Sequence, residues 1–394
     1  MPDAVSSLGS SIRAIFKIFH SERSIMSFSP DKLGNADEIG ATTETYKNAA
    51  IQAGYRRQLR RRYLTLLGVA VLLCVSFVFD VSNGPGNFPL SIVIETLLDP
   101  QAHGIKLEVI IWDYRLPIAI TAVLVGAILA LAGAQMQTVL NNPLAEPFTL
   151  GVSSAASFGA ALAIVVGWSI VPNLGPLLVT FNAFIFALLT CIFILVATRI
   201  KGVGTETMIL FGIAIFFAFN AALAMMQYMA SEDELARIVF WMMGSLSRAS
   251  WEKISLGAIL LSLALPYSFY RTWQLTALRM GDDTAISLGI DVARLRVEML
   301  IVISLLAATA VAFVGTVGFV GLVGPHIARL IVGEDQRFFI PLSALVGALT
   351  LSLTSIISKM ITPGIIYPIG IITALIGVPV FISLILSTRK ERLS

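Results

Sequence analysis

"LPIAITAVLVGAILALAGAQMQTVLNNPLAEPFTLG", Leu116 to Gly151, decides what kind of molecule this is. From Leu116 to Leu140 it carries no charged residue, and an uncharged apolar run of that length reads as a membrane-spanning helix. Ala122, Gly126, Ala130 and Ala134 recur at i, i+4, which makes one face small enough for close backbone approach to a neighbour. The far end changes character with Gln135, Gln137, Asn141 and Asn142, followed by Pro143 and Pro147. Asn142 is expected to cap a short turn begun by Pro143, with Pro147 opening the next span.

Working outward, the pattern repeats. The chain of 394 residues is 57% hydrophobic and only 13% charged, too apolar for a water-soluble domain. Ten spans are expected, at 63–80, 116–137, 149–168, 177–198, 206–228, 251–271, 297–315, 317–333, 338–358 and 368–387. The fold class is therefore an all-α polytopic membrane protein with about ten transmembrane helices and short interfacial and coupling helices. Residues 1–62 form a polar extension ending in the basic run "YRRQLRRRY", with no cleaved signal peptide. Residues 1–25 read either as a functional tail or as sequence upstream of a start at Met26. The remaining 63–390 form the ten-helix domain.

Charge orients it. The basic run before the first span predicts a cytoplasmic N-terminus. Arg199, Lys201, Arg271, Arg279, Arg294, Arg296, Arg337 and the terminal "RKER" then fall inside. Only Lys106, Arg237, Arg248, Lys253 and Lys359 fall outside. Both termini are expected inside. The turn at 141–151 alone among the clear inner turns has no Lys or Arg. Short outer helices are expected within 81–114, starting near Pro89, and at 232–244. The inner loop 272–296, broken at Gly281 and Gly289, should form two small helices and a docking surface for a cytoplasmic partner.

Several chemistries are absent. There is no Walker A loop, so the chain is not expected to be an enzyme or to hold ATP itself. Cys74 and Cys191 lie in apolar runs, and three scattered histidines have no ligand spacing; no metal, cofactor or nucleic-acid partner is expected. Asp113, Glu146, Glu206 and Glu298 sit near span ends, which disfavours an ion-coupled secondary carrier, kept as the alternative together with a sensory or structural subunit. Asn220 and Gln227 share a helix face, and with Gln137, Asn141, Asn142 and Pro143 read either as a weakly polar pathway or as interhelical hydrogen bonding. In "GTVGFVGLVGPH" the glycines at 315, 318, 321 and 324 and Pro325 predict a tight bend or a discontinuous helix. His326, just beyond, is read as a packed residue.

Four stretches in order, 115–160, "GDDTAISLGI" at 281–290, 314–337 and "YPIGIITALIGVPVF" at 367–381, resemble the FecCD-type permeases of ABC importers for iron–siderophores, haem and vitamin B12. The resemblance implies a ten-helix subunit of the bacterial inner (cytoplasmic) membrane. It would form a dimer with a second copy or a paralogue, bind an ABC ATPase subunit inside and a periplasmic substrate-binding protein outside, and be surrounded by membrane lipid. It implies that Gly281, Asp282, Ala285, Leu288 and Gly289 couple to the ATPase. It also implies that Arg115 and Lys359 dock the binding protein, although Ile118 stands where relatives have a further arginine, and "TSIISK" (354–359) departs from their pattern. The implied cargo is a metal chelate, in first place a ferric siderophore, with haem or vitamin B12 as alternatives. A pathway for so bulky a cargo should bind it weakly, and the turn 141–151 would shape the inner gate.

Overall fold

The computed structural model describes residues 36–391 except 85, 87, 170, 172–174, 198–204 and 363; the readings on residues 1–25 and on Arg199 and Lys201 lie outside these. The chain divides into two units, Met1–Leu59 and Arg60–Ser394. In the first, the described residues are the start of helix α1, Ala36–Ser82. The second carries everything below.

Each expected span falls on a helix. Six stretches are long and apolar enough to cross a membrane: Gln52–Ser82, Ile105–Val139, Leu210–Met229, Trp251–Tyr270, Val292–Val314 and Gln336–Met360. The other four spans fall on the shorter apolar helices Val152–Val165, Leu178–Ile194, Val320–Val332 and Ile369–Ser383. In chain order these lie in α1; in α4 (Leu116–Val139), α5 (Val152–Val165), α6 (Leu178–Ala197) and α7 (Thr205–Met229); in α9 (Trp251–Tyr270) and α12 (Val292–Val314); and in α13 (Val320–Val332), α14 (Gln336–Met360) and α15 (Ile369–Glu391).

Helix α4 is the axis, buried along almost its whole length against α12, α13 and α14. The small-residue face explains how. A methyl placed on Gly126 would stand 2.9 Å from Ala348 Cα, and one on Gly324 would stand 2.9 Å from Ala130 Cβ. Backbones in such contact gain dispersion energy that larger side chains would prevent. Helices α1 and α7 sit outside this core, presenting Leu67, Val71, Phe216 and Phe217 as exposed apolar side chains.

The short elements follow local chemistry. Pro89 precedes α2 (Leu90–Leu98). Helix α3 (Ile105–Glu108) runs through a wide π-helical turn, Val109–Arg115, into α4. A capping box between Ser231 and Glu234 starts α8, Glu232–Met242. On the expected inner side, α10 (Thr272–Arg279) and α11 (Asp282–Ser287) are separated by Gly281 at φ 111°, a backbone state that glycine alone adopts freely. The glycine-rich bend is real: after α12 the chain is irregular until Phe319, which takes φ 69° before α13 begins. Pro325 lies buried inside α13, and the break precedes it.

Candidate functional site

A cavity of about 840 Å³ opens between α5, α7 and α15. Its wall includes Phe148, Ser157, Asn220, Thr316, Phe319 and Leu375, and none of the described lining residues is charged. Hydrogen bonds fix this wall. The Thr316 hydroxyl donates to the Met242 carbonyl, Ser245 N donates to Val314 O at 2.7 Å, and Gly370 N donates to Met243 O at 3.1 Å. Phe319 packs against Gly377 while held in its left-handed conformation, a state a bulky residue keeps only when its surroundings enforce it.

The turn after α4 reaches this region. Asn142 Oδ1 accepts from Leu144 N at 3.0 Å, the capping interaction anticipated from the sequence. Pro147–Leu150 form one 3-10 turn, so Pro147 opens that turn and α5 starts only after Gly151. Glu146 corrects the view that it merely sits near a span end. The turn folds back into the bundle, burying its carboxylate against the first backbone N–H groups of α13, those of Phe319 and Gly321. A carboxylate there meets the positive end of the helix. Burial pushes the carboxyl up to about 7, while those two N–H groups pull the other way.

On the expected inner side, side chains from four segments close a ring. Arg279 donates from Nε and Nη2 to Glu334 at 3.1 and 2.6 Å, and from Nη1 to Asn141 Oδ1 at 2.6 Å. Arg329 Nε pairs with the same Glu334 at 2.9 Å, and its Nη2 donates to Gln137 Oε1 at 2.9 Å. Beside the ring, Arg296 bridges Asp282 Oδ1 at 2.8 Å and the Val139 carbonyl at 3.4 Å. The turn without cations of its own is thus supplied with one by Arg279, and the last turn of α4 with two more, by Arg329 and Arg296.

Of the expected pathway residues, Asn220 lines the cavity and donates to Phe216 O at 2.8 Å on its own helix. Gln227 contacts the Met242 sulfur at 3.7 Å. Gln137 and Asn141 belong to the ring, Pro143 is exposed beside it, and Pro325 is buried away from the cavity. In the loop, Ala285 is fully buried, whereas Asp282, Leu288 and Gly289 are exposed and Gly281 is half-buried. A groove between α10 and the α13–α14 turn is lined by Trp273, Thr276, Arg279, Met280 and Glu334.

At the other end, Arg115 and Lys359 are both buried. Arg115 donates to the carbonyls of Ser82 at 2.7 Å and Gly86 at 2.5 Å and lies over the Phe88 ring. Lys359 pairs with Asp80, which also accepts from Ser355 at 2.9 Å. Direct contact with a binding protein requires both to leave these partners. Sequence reasoning missed the Asp80 pairing and the Glu334 ring.

This arrangement can be set beside known proteins. A model of the FecCD transport family matches residues 72–387. The chain belongs to that family. One FecCD relative, an ABC transporter permease protein of Methanocaldococcus jannaschii, is 37% identical over 344 residues, covering 86% of this chain and 98% of that protein. The Fe(3+)-citrate import permease YfmE of Bacillus subtilis is 35% identical, covering 85% and 98% respectively. Other relatives serve hemin, molybdate and vitamin B12. A solved structure of a metal-chelate type ABC transporter in an inward-facing conformation aligns with a TM-score of 0.70 at 30% identity, covering 82% of this chain and 99% of that one. As a FecCD member the chain is a multi-pass ABC transporter permease and not itself an ATPase.

Proposed function

We propose that this permease moves a metal chelate, in first place a ferric siderophore, across the cytoplasmic membrane with both termini inside. A separate ABC ATPase drives it and a substrate-binding protein feeds it. The observation that carries the cargo class is the cavity of about 840 Å³ and its uncharged described lining. A small oxyanion needs cationic or N–H groups at close quarters; no charged residue is among the described ones that line the cavity, and the N-terminus of α13 beside it is taken up by Glu146. A chelate that presents an organic shell suits aromatic, aliphatic and hydroxyl walls that hold it weakly. Exposed apolar faces of α7 and α15 flank the cavity and suit closure by a second permease subunit.

Inside, the ATPase grips the loop around Gly281, Asp282, Ala285, Leu288 and Gly289. Met280, Ile286 and Leu288 expose apolar side chains there, the mark of a surface awaiting a partner. Outside, Arg115 and Lys359 set the rim that meets the binding protein. The test is uptake into proteoliposomes holding permease, ATPase and binding protein, with labelled ferric siderophore, hemin, vitamin B12 and molybdate compared. ATP-dependent uptake of the siderophore is expected. Uptake of molybdate alone would sink the cargo class, and ion-driven uptake by the permease without its ATPase would sink the mechanism.

A further inference from the structure

We propose that Glu334, holding Arg279 and Arg329 together, is the positioning residue that transmits movement of the inner loop to the C-terminal end of α4. This rests on the reading of 272–296 as the element the ATPase grips. The ring has a definite order: Asn141, Arg279, Glu334, Arg329, Gln137, and back through the end of α4 and the turn after it to Asn141. Arg279 is the loop's contribution, and its guanidinium is engaged through three nitrogens. A planar fork bound in this way fixes direction as well as distance. A shift of α10 therefore drags both Glu334 and Asn141.

The receiving end is built to pass that shift on. Helix α4 has no basic residue in its last turn; the cations at its carbonyl end are Arg329 on α13 and, on or beside the loop, Arg279 and Arg296. Withdrawing the loop removes favourable charge from the negative end of the helix dipole. Near that end, α4 meets the backbone of α13 at Gly133 and Gly321 with no side chain between to absorb a displacement. The turn hanging from α4 carries Glu146 to the start of α13 and Phe148 to the cavity wall, where Phe319, just before α13, also stands. Contacts thus run without interruption from Arg279 to the cavity.

The test uses the assembled transporter with Glu334→Gln, Glu334→Asp and Asn141→Ala. Asn141 is exposed, so its truncation leaves the core intact should Glu334→Gln fold poorly. With Glu334→Gln and Asn141→Ala the ATPase should stay bound and hydrolyse ATP, while uptake per ATP falls about tenfold, a usual size for energetic coupling between sites. Glu334→Asp, which keeps the charge, should restore part of it. Unchanged uptake per ATP, with only a lower melting temperature, would make the ring a static clamp and overturn the proposal. Loss of ATPase binding would overturn it too, by making Glu334 a docking residue. Separately, if disruption of Gly281 and Asp282 leaves ATPase association and uptake intact, the underlying loop assignment fails whatever Glu334 does.

Discussion

Lys359 Nζ stands 2.7 Å from Asp80 Oδ1 and 3.1 Å from the Asp80 carbonyl, with both side chains almost wholly shielded from solvent. The pair ties α1, which has few other buried contacts, to α14; Ser76 and Ser352 meet at 2.8 Å on the same interface. Removing one partner leaves an uncompensated buried charge. Lys359→Met alone should therefore cost roughly 3–5 kcal/mol, and Asp80→Asn together with Lys359→Met should recover most of it. Thermal unfolding of the two variants in detergent measures the difference. Equal losses in both would show that the charges are not coupled.

Glu146 predicts a pH dependence with a definite sign. Burial raises its carboxyl from 4.5 to about 7, so across that window the folded chain binds more protons than the unfolded one. Stability should fall as pH rises through the window, and the contribution should be flat above it. In Glu146→Gln the amide oxygen can still accept from Phe319 and Gly321, and the slope should vanish. Melting temperature against pH for both chains checks this, and parallel slopes would assign the dependence to another group.

The α4–α14 contact should tolerate no added atoms. Gly126→Ala places a methyl 2.9 Å from Ala348 Cα, an overpacking that costs about 1–3 kcal/mol or more. Gly318→Ala is the control, because nothing lies within 4 Å of the position its methyl would take. Yield and melting temperature should separate the two, and a Gly126→Ala protein as stable as the control would contradict the packing.

Arg115 should hold the chain that follows α1. With its guanidinium bound to the carbonyls of Ser82 and Gly86, Arg115→Met strands those acceptors and removes the contact over Phe88. Each lost charge-assisted bond is worth about 1.5–3 kcal/mol. Hydrogen exchange should rise between Ser82 and Phe88 while α14 stays protected. Unchanged exchange there would return Arg115 to a purely external role.

The ten helices were legible because each is written in contiguous residues: an apolar run, a proline near a start, a glycine at a stop. Gly281 and Gly289 marked the two inner helices for the same reason, and the spacing of Ala122, Gly126 and Ala130 marked the face that meets Gly347. What stayed hidden is pairing across the chain. Asp80 drew no reading from the sequence and Lys359 read as an outer cation that docks the binding protein, since nothing local to either announces a partner 279 residues away. Gln137 and Asn141 read either as pathway amides or as interhelical hydrogen-bonding groups, because amides suit both. Only the fold puts Arg279 and Arg329 beside them. The burial of Glu146, near a span end as expected, was not legible because the segment its turn folds against lies far along the chain.

The far end of α4 and its turn have a consequence for the order of assembly. Their side-chain partners across the bundle come late in the chain: Ser268 for Gln135, Arg279 for Asn141, Arg329 for Gln137 and Gln336 for Thr138, at separations of 133, 138, 192 and 198 residues. During synthesis from the N-terminus, α4 and its turn must wait, with these amides unmatched, until the second half of the protein emerges. The first half is thus an unfinished lock whose key is made last, and a chain stopped before Ser268 would lack every one of these closures.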